Sequence, residues 1–451
     1  MKDAEMVRVD VTRAIDAAPL GRFQIAIFAL CAAIAVIDGF DTQAIAFAAP
    51  AILEEWKMSP AVFGTVFGVG LAGLAVGAFV LGPLADRFGR RFILLASTLI
   101  FGIFALLTAW SETFNQLLVL RFLTGIGLGG AMPGIIALTS EYAPSRARAT
   151  SITIMFCGFP LGAFVGGFLA AYLIPAYGWR SVFLVGGCLP LAFTTMLWMA
   201  VPESVRFLAR SGKRRPELAR LLNRIVPGAA YRADQEFFLK EEKLSSFPVG
   251  HLFTEGRAAL TFLVWIAFFT NLLVMYLLFN WMPTLFKQEG LPLTTAIKST
   301  AIMNLGGVVG AIVLGRLIDR IGALRTLSMA YVGAAVFLAL IATVDRSNAM
   351  LLLPAVFMAG FGIVGAQIGM NALTAEVYPT SVRSTGVGWA LGVGRVGAII
   401  GPIVGGALLA LEWPPSMIFW LTIVPMLVAA LAVFSLGFCS EGRHAAARAP
   451  I

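Results

Sequence analysis

Two carboxylates, Asp38 and Asp41, stand one helical turn apart in the otherwise apolar stretch "AVIDGFDTQAIAFAAP" at residues 35–50. Residues three apart are neighbours on a helix surface, so both acids share a face. A charge in hydrocarbon is expensive, and ionisable groups kept there usually mark an ion or substrate path. Burial disfavours the charged form of a carboxyl, which suits it to take up and release a proton. Asp38 and Asp41 are therefore candidates for a proton site, and Asp38, the deeper, is the stronger. The other reading is a structural ion pair with Arg121 or a helix cap.

Arg121 and Arg395 are the matching cations. Arg121 lies near one end of its apolar run, at a depth like that of the two acids, and either acid could supply its counter-charge. It would then favour the ionised carboxylate and tune proton release, or simply neutralise it. Arg395 lies near the middle of its run, with no acidic residue within two turns. A guanidinium holds a carboxylate in a planar two-point fork, so an organic anion is its preferred partner. An ion pair with an aspartate of the first half is the alternative. Gln43, Asn271, Tyr276, Asn280, Trp281, Gln367 and Asn371 add neutral polar and aromatic groups. Asn271 and Asn280 do not share a helical face, so some of this set must instead make interhelical hydrogen bonds.

Positioning these groups requires a membrane bundle. The 451 residues are 59% hydrophobic and only 13% charged, with mean hydropathy +0.88. A soluble domain carries about 25% charged residues. Apolar runs long enough to span a bilayer are predicted at 23–46, 62–84, 92–110, 116–140, 150–173, 182–200, 258–282, 296–315, 326–343, 351–375, 384–409 and 417–438. No strand-like alternation competes, so the predicted fold class is an all-α integral membrane protein with twelve transmembrane helices.

The net charge of +9 is a topology signal and not a nucleic-acid footprint. Alternate loops and the termini hold 26 of the 33 Lys and Arg, whereas the opposite face holds Lys57, Arg180, Lys287, Lys298 and Arg346. The positive-inside rule puts both termini in the cytoplasm, and the expected location is the cytoplasmic (inner) membrane. The first residues, with Lys2, Asp3, Glu5, Arg8 and Asp10, contain no apolar run, and no cleavable signal peptide is expected. Cys31, Cys157, Cys188 and Cys439 lie singly, and His251 and His444 form no cluster, so neither a metal nor a cofactor is expected.

The chain also repeats itself. "GPLADRFGRR" (82–91) matches "GRLIDRIGAL" (315–324) at an offset of 233, which places Pro50 on Pro283 and Asp38 on Asn271. "EYAPSRARAT" (141–150) matches "EVYPTSVRST" (376–385) at an offset of 235. The expected organisation is a cytoplasmic segment (1–22), a six-helix bundle (23–202), a cytoplasmic linker with short surface helices (203–257), a second six-helix bundle (258–438) and a cytoplasmic tail (439–451). Parallel repeats of this kind commonly hold a substrate near the midplane between them and alternate access by rocking. At the helix ends, Asp86, Arg87, Arg90 and Arg91, with Asp319 and Arg320, are gating or structural candidates, since an Asp there can cap a helix or latch an Arg. Glu141 with Arg148, and Glu376 with Arg383, form a similar set. "GVGRVG" (392–397) satisfies the dinucleotide-binding spacing, but no strand precedes it.

These motifs carry a family resemblance. "GPLADRFGRR", "RFLTGIGLGG" (121–130) and "PESVRFL" (202–208) resemble, in order, three signatures of the major facilitator superfamily. "DGFDTQAIAFAAP", "EYAPSRAR", "LFTEGR" (252–257) and "GVGRVGAIIGPIVGG" (392–406) are similar to its aromatic acid:proton symporters. The resemblance spans nearly the whole chain. It implies the major facilitator fold in two pseudo-symmetric halves, proton coupling through Asp38, Asp41 and Arg121, and a small aromatic carboxylate as partner to Arg395. Hydroxybenzoate and protocatechuate are the first substrates it suggests, ahead of benzoate, gentisate or a phenylpropionate.

Other functions fit less well. A carrier of sugars or aliphatic acids would share "PESVRFL", but a neutral sugar leaves Arg395 unexplained. Drug exporters of the superfamily carry G-P-x-x-G-G in the fifth span, which here reads "GAFVGG". An enzyme would need a catalytic constellation, and none is present. A substrate sensor would need a signalling domain beyond the linker. The expected protein is a symporter, working as a monomer in the lipid bilayer.

Overall fold

The structure, a computed structural model, describes residues 8–212, 214–239, 249–254, 256–345, 348–379 and 382–446. Lys2, Asp3, Glu5, Glu255 and Arg346, with parts of the linker and tail, lie outside the described residues. The first elements are β1 (Arg8–Asp10), α1 (Val11–Ala17), α2 (Arg22–Trp56), α3 (Pro60–Phe88), α4 (Arg90–Thr108), α5 (Phe114–Tyr142), α6 (Ser145–Phe156), α7 (Gly158–Tyr177) and α8 (Arg180–Ala200). After them come α9 (Val205–Ser211), α10 (Arg215–Ile225), β2 (Glu236–Phe238), α11 (Ala258–Gln288), α12 (Leu293–Ile321), α13 (Ala323–Thr343), α14 (Ala349–Val377), α15 (Arg383–Ala410) and α16 (Pro415–Ala446). Among the described residues, twelve helical segments are long and apolar enough to cross a membrane. The protein is a multi-pass, predominantly helical membrane protein.

Several helices outrun their apolar runs. The first continues to Trp56, where Lys57 adopts φ 51° and closes the last turn. Hydropathy registers hydrocarbon thickness, whereas helix length is set by where capping conformations occur. The fifth span is broken into α6 and α7 at Cys157. Pro160 is the cause: it has no N–H, and its ring crowds the carbonyl of Phe156. The linker forms the short helices α9 and α10, but "EFF" at 236–238 is extended where a surface helix was expected. It pairs in parallel with β1, Arg8 opposite Glu236, and buries Phe237. Pairing with a distant strand overrides local helical pattern here.

The helices divide into two compact units. Unit 1 comprises 1–39, 72–162 and 183–243; unit 2 comprises 40–71, 163–182 and 244–451. In unit 1 the core lies between α2, α4, α5 and the linker helices, with Cys31, Phe101, Leu138, Tyr142 and Leu222 fully enclosed. In unit 2, α12 packs on α14, α11 on α15 and α13 on α16. The ends of α2 and α3 join them there. Trp281 donates from Nε1 to the Pro402 carbonyl at 2.7 Å and meets the Phe67 ring edge-on at 5.1 Å, and Lys287 pairs with Glu54.

Glycines set the closest helix crossings, and they repeat. A Cβ on Gly162 would collide with the Val36 carbonyl oxygen, and one on Gly397 with that of Phe269. Gly73 likewise lies against Phe122, and Gly306 against Phe357. Each pair maps onto its partner pair through the offsets of 233 and 235, so the duplication read from sequence is also a duplication of packing. Close backbone approach of this kind is how membrane helices associate without a hydrophobic drive between them. Replacing Gly73 or Gly306 by Leu is expected to cost on the order of 1–3 kcal/mol by overpacking, seen as a lower melting temperature in detergent. Gly333→Ala, at a position with nothing within 4 Å, should be neutral or stabilising.

Candidate functional site

The helices place the predicted charges in different environments. Asp38 and Asp41 are buried on α2, with 1% and 0% of their surface exposed. Arg121, on α5, is 4% exposed and does not rely on acids alone. It donates to Thr108 Oγ1 and Thr124 Oγ1, each at 3.0 Å, and its guanidinium lies 4.9 Å from the centre of the Phe183 ring. The two hydroxyls take the N–H groups of Nη2, and the ring face takes up part of its charge. Sequence reasoning missed all three partners. Only Thr124, one turn along the same helix, was within reach of a spacing argument.

Arg395 is half-buried on α15 and makes no hydrogen bond or ion pair among the described residues. Unit 2 contains most of the neutral polar candidates as well. Asn271 is fully buried on α11 and donates to Gln367 Oε1 on α14 at 2.7 Å, with a longer contact to the Ile363 carbonyl at 3.4 Å. The structure thus brings Asn271 and Gln367 together. Asn371, one turn beyond Gln367, keeps its Oδ1 without a hydrogen-bond partner among the described residues, as does Gln43 its Nε2. Tyr276 is buried beside Phe279, at 6.1 Å between rings. Trp281 commits its one N–H to the Pro402 carbonyl and so offers no polar group to a ligand, whereas Asn280 spends one amide N–H on the Tyr276 carbonyl within its own helix. Thr284, Thr300 and Asn304 were not singled out from sequence, yet each buries a polar oxygen lacking a partner among the described residues. A polar residue in an apolar run was their only signal, and it does not say which side of the helix faces inward.

The loop candidates separate by repeat. In unit 1, Arg90 pairs with the buried carboxylate of Glu141 and, at 3.3 Å, with exposed Asp86. Glu141 also accepts from Ser204 Oγ and, at 3.5 Å, from the Arg206 amide. Glu203 accepts from the Arg91 amide at 3.0 Å, and the Arg91 side chain donates to the Trp198 carbonyl. Arg148 reaches Asp16 at 3.9 Å, and Arg87 lies over the Phe88 ring at 5.5 Å. Asp16, Glu203 and Ser204 are thus working members of a network that spacing alone did not identify. In unit 2, Asp319, Arg320, Glu376 and Arg383 are exposed. Arg383 donates only to the Tyr378 carbonyl, at 3.4 Å, among the described residues. "GVGRVG" lies inside α15, with no strand before it.

Twelve spans, a doubled packing pattern and polar groups buried within the spans define a multi-pass transport protein. Sequence comparison agrees: a model of the Major Facilitator Superfamily matches residues 31–394 and 299–449. The chain is 40% identical to a 4-hydroxybenzoate transporter, PcaK, of Acinetobacter baylyi over 94% of both chains. It is 40% identical to a gallate transporter of Pseudomonas putida over 98% of both. Its fold is similar to the inward open xylose transporter XylE from E. coli, with a TM-score of 0.72 at 17% identity, covering 92% of this chain and 96% of that one. The chain belongs to the Major Facilitator Superfamily and is a membrane transporter, not an enzyme.

The unit 1 network makes a stability prediction. Removing one partner of a buried pair strands the other, at a cost of about 3 kcal/mol. Arg90→Ala should therefore lower the melting temperature clearly, because it strands Glu141. Asp86→Ala, at an exposed carboxylate, should change stability by less than about 0.5 kcal/mol.

Proposed function

We propose that this protein imports a small aromatic carboxylate together with protons across the cytoplasmic membrane, with both termini on the cytoplasmic side. The observation that carries the reading is Arg395, a guanidinium within a membrane span that has no counter-charge among the described residues. A cation kept there at a desolvation cost is best explained by a ligand that brings the opposite charge. A carboxylate does so through two parallel charge-assisted hydrogen bonds. The relatives at 40% identity are named for 4-hydroxybenzoate and gallate, both hydroxylated benzoates, which supports an aromatic ring on that carboxylate. The xylose transporter shares only the fold, and a neutral sugar would leave Arg395 without its counter-charge.

Proton coupling follows from electrostatics. An inside-negative potential opposes entry of an anion by about 2.3 kcal/mol per charge per 100 mV. One proton carried with the substrate cancels that penalty, and a second makes uptake electrogenic. Asp38 and Asp41, buried in the first span, are the groups assigned to carry it, with Arg121 tuning release. Gln43, Asn271, Tyr276, Gln367 and Asn371 are assigned to the substrate's ring and hydroxyl groups. The two six-helix halves (23–202 and 258–438) are assigned to alternate access by rocking, the monomer being sufficient.

Reconstituted vesicles test this directly. Labelled 4-hydroxybenzoate should exchange in counterflow, and its uptake should acidify the vesicle interior. Arg395→Gln should raise KM by about tenfold or more, the worth of a charged hydrogen bond. Asp38→Asn should exchange label but lose accumulation driven by a proton gradient. Full gradient-driven accumulation in Asp38→Asn, in Asp41→Asn and in the double variant would remove the aspartates from the mechanism. Uptake without interior acidification would remove symport.

A further inference from the structure

Two buried amides in unit 2 carry free atoms of opposite kind. Gln43 on α2 and Asn304 on α12 are 2% and 0% exposed. Gln43 keeps a donor, Nε2, and Asn304 an acceptor, Oδ1, without a hydrogen-bond partner among the described residues. The oxygen is the end of the Asn304 amide left over, because its Nδ2 donates to the Thr300 carbonyl at 3.0 Å. Packing does not ask for an amide at this position. The offset of 233 sets Leu71 at the counterpart of Asn304, and that leucine is buried too. A half-satisfied amide costs stability that a leucine would not, so its polarity serves something other than the fold.

Helix crossings bring the two amides to one level. A Cβ on Gly167 of α7 would meet the Ala301 Cβ at 2.7 Å and the Phe47 Cζ at 3.2 Å, so α2 and α12 converge there. Gln43 lies one turn before Phe47 on the same face of α2, and Asn304 lies one turn after Ala301 on α12. These are the first and eighth spans and cross in opposite senses, so both steps lead the same way from Gly167, toward the level of Arg395. Other crossings fix that level. Gly397 lies against the Phe269 carbonyl and Gly394 against Leu272, which sets Arg395 beside the turn of α11 that holds Asn271. Asn271 reaches Gln367 on α14, and further along α14 Gly360 lies against the Met303 carbonyl. At 1.5 Å per residue, about 10 Å of α14 separates the crossing at Met303 from that at Asn271. The amides and the guanidinium thus stand at opposite ends of an interval comparable with one substituted benzene ring and its hydrogen bonds.

We propose that Gln43 and Asn304 together read a hydroxyl group on the substrate's ring, para to the carboxylate. The inference rests on the reading of the substrate as an aromatic carboxylate held by Arg395. A phenolic hydroxyl both accepts and donates a hydrogen bond. Gln43 Nε2 donates to its oxygen, and its O–H donates to Asn304 Oδ1. An ether or a halogen could only accept, and a ring C–H does neither. Water bridges such a pair when no ligand is present, and a hydroxyl that reproduces both bonds displaces it without loss. A bare ring edge displaces it and leaves both amides unpaired, which is how a site built for a hydroxyl rejects the analogue lacking one. A hydroxyl ortho to the carboxylate stays at the Arg395 end and leaves the amides equally unpaired. Asn304, in the span that sequence reasoning left without a candidate, is therefore a specificity-determining residue.

The test measures counterflow in vesicles holding the full chain, with 4-hydroxybenzoate, benzoate and 2-hydroxybenzoate as substrates. The wild-type KM for 4-hydroxybenzoate should lie about tenfold below those of the other two, the worth of a buried group left unpaired. Asn304→Leu, which installs the residue of the other repeat, should erase the ratio between 4-hydroxybenzoate and benzoate. A merely structural role would shift the three acids together and keep their ratios. Melting temperature and gel filtration establish that the variant is folded; should it fail, Asn304→Ala gives the same readout, and the wild-type ratios stand without any variant. Equal wild-type KM values for the three acids, or unchanged ratios in a folded variant, would overturn the proposal and leave the aromatic carboxylate reading intact. Exchange of none of the three by the wild type would instead remove that reading, and the proposal with it.

Discussion

The governing constraint is that hydrocarbon offers a charge no solvent. Every guanidinium or carboxylate kept inside a span must find its partner in the protein, in a ligand or in a proton. Arg121 shows a solution within the protein. Two threonine hydroxyls hold its Nη2 at 3.0 Å and the Phe183 ring lies 4.9 Å from its guanidinium. Arg395 has no such arrangement among the described residues, although it lies as firmly within a span. The contrast between two arginines in one molecule is more informative than either alone. Arg121 is held by hydroxyls and a ring, whereas Arg395, with no counter-charge among the described residues, matches the anion proposed above.

Duplication explains why the scaffold can hold such groups at all. Gly162 with Val36 and Gly397 with Phe269 are the same crossing made twice, as are Gly73 with Phe122 and Gly306 with Phe357. These contacts depend on the absence of a side chain, and so they tolerate divergence everywhere else. The polar groups diverged accordingly. Asp38 became, or arose from, the position of Asn271, and Arg121 and Arg395 have no charged counterparts in the other repeat. Backbone-to-backbone approach preserves the frame while the buried chemistry becomes asymmetric.

Which features were legible in the sequence follows from the same physics. Span number and order were readable because the hydrocarbon core imposes about 20 apolar residues per crossing. The repeat was readable because turns such as Gly89 and Gly322, both at positive φ, tolerate few other residues. The embedded charges were readable as exceptions to composition. Helix ends were not, since α2 runs to Trp56, ten residues beyond the apolar run, before Lys57 closes it. Partners were harder still. Thr108, Thr124 and Phe183 are ordinary residues in apolar helices, and only tertiary packing brings them to Arg121. Asn280 and Trp281 were visible as polar and aromatic groups, but not their partners, because polarity is legible in sequence and satisfaction is not. The strand at 236–238 was hidden for a similar reason, its partner lying 228 residues away.

The pair of Glu54 with Lys287 brings these themes together. The two residues occupy the same position in the two repeats, at the offset of 233 that also relates Pro50 to Pro283. Two equivalent positions can touch only near the axis relating the repeats, and there an unmodified duplication sets each residue against a copy of itself. Glu against Glu, or Lys against Lys, would repel. Divergence to opposite signs turns that contact into an attraction, with Lys287 reaching the Glu54 carboxylate. Both side chains are substantially solvated, at 32% and 74% exposure. Such a pair contributes no more than about 1 kcal/mol. Its value lies in register: of the ways α2 and α11 could slide past one another, it favours the one that sets opposite charges together. Nearby on α11, burial and the indole hydrogen bond of Trp281 supply the stability, and the charges contribute the choice of alignment against α2.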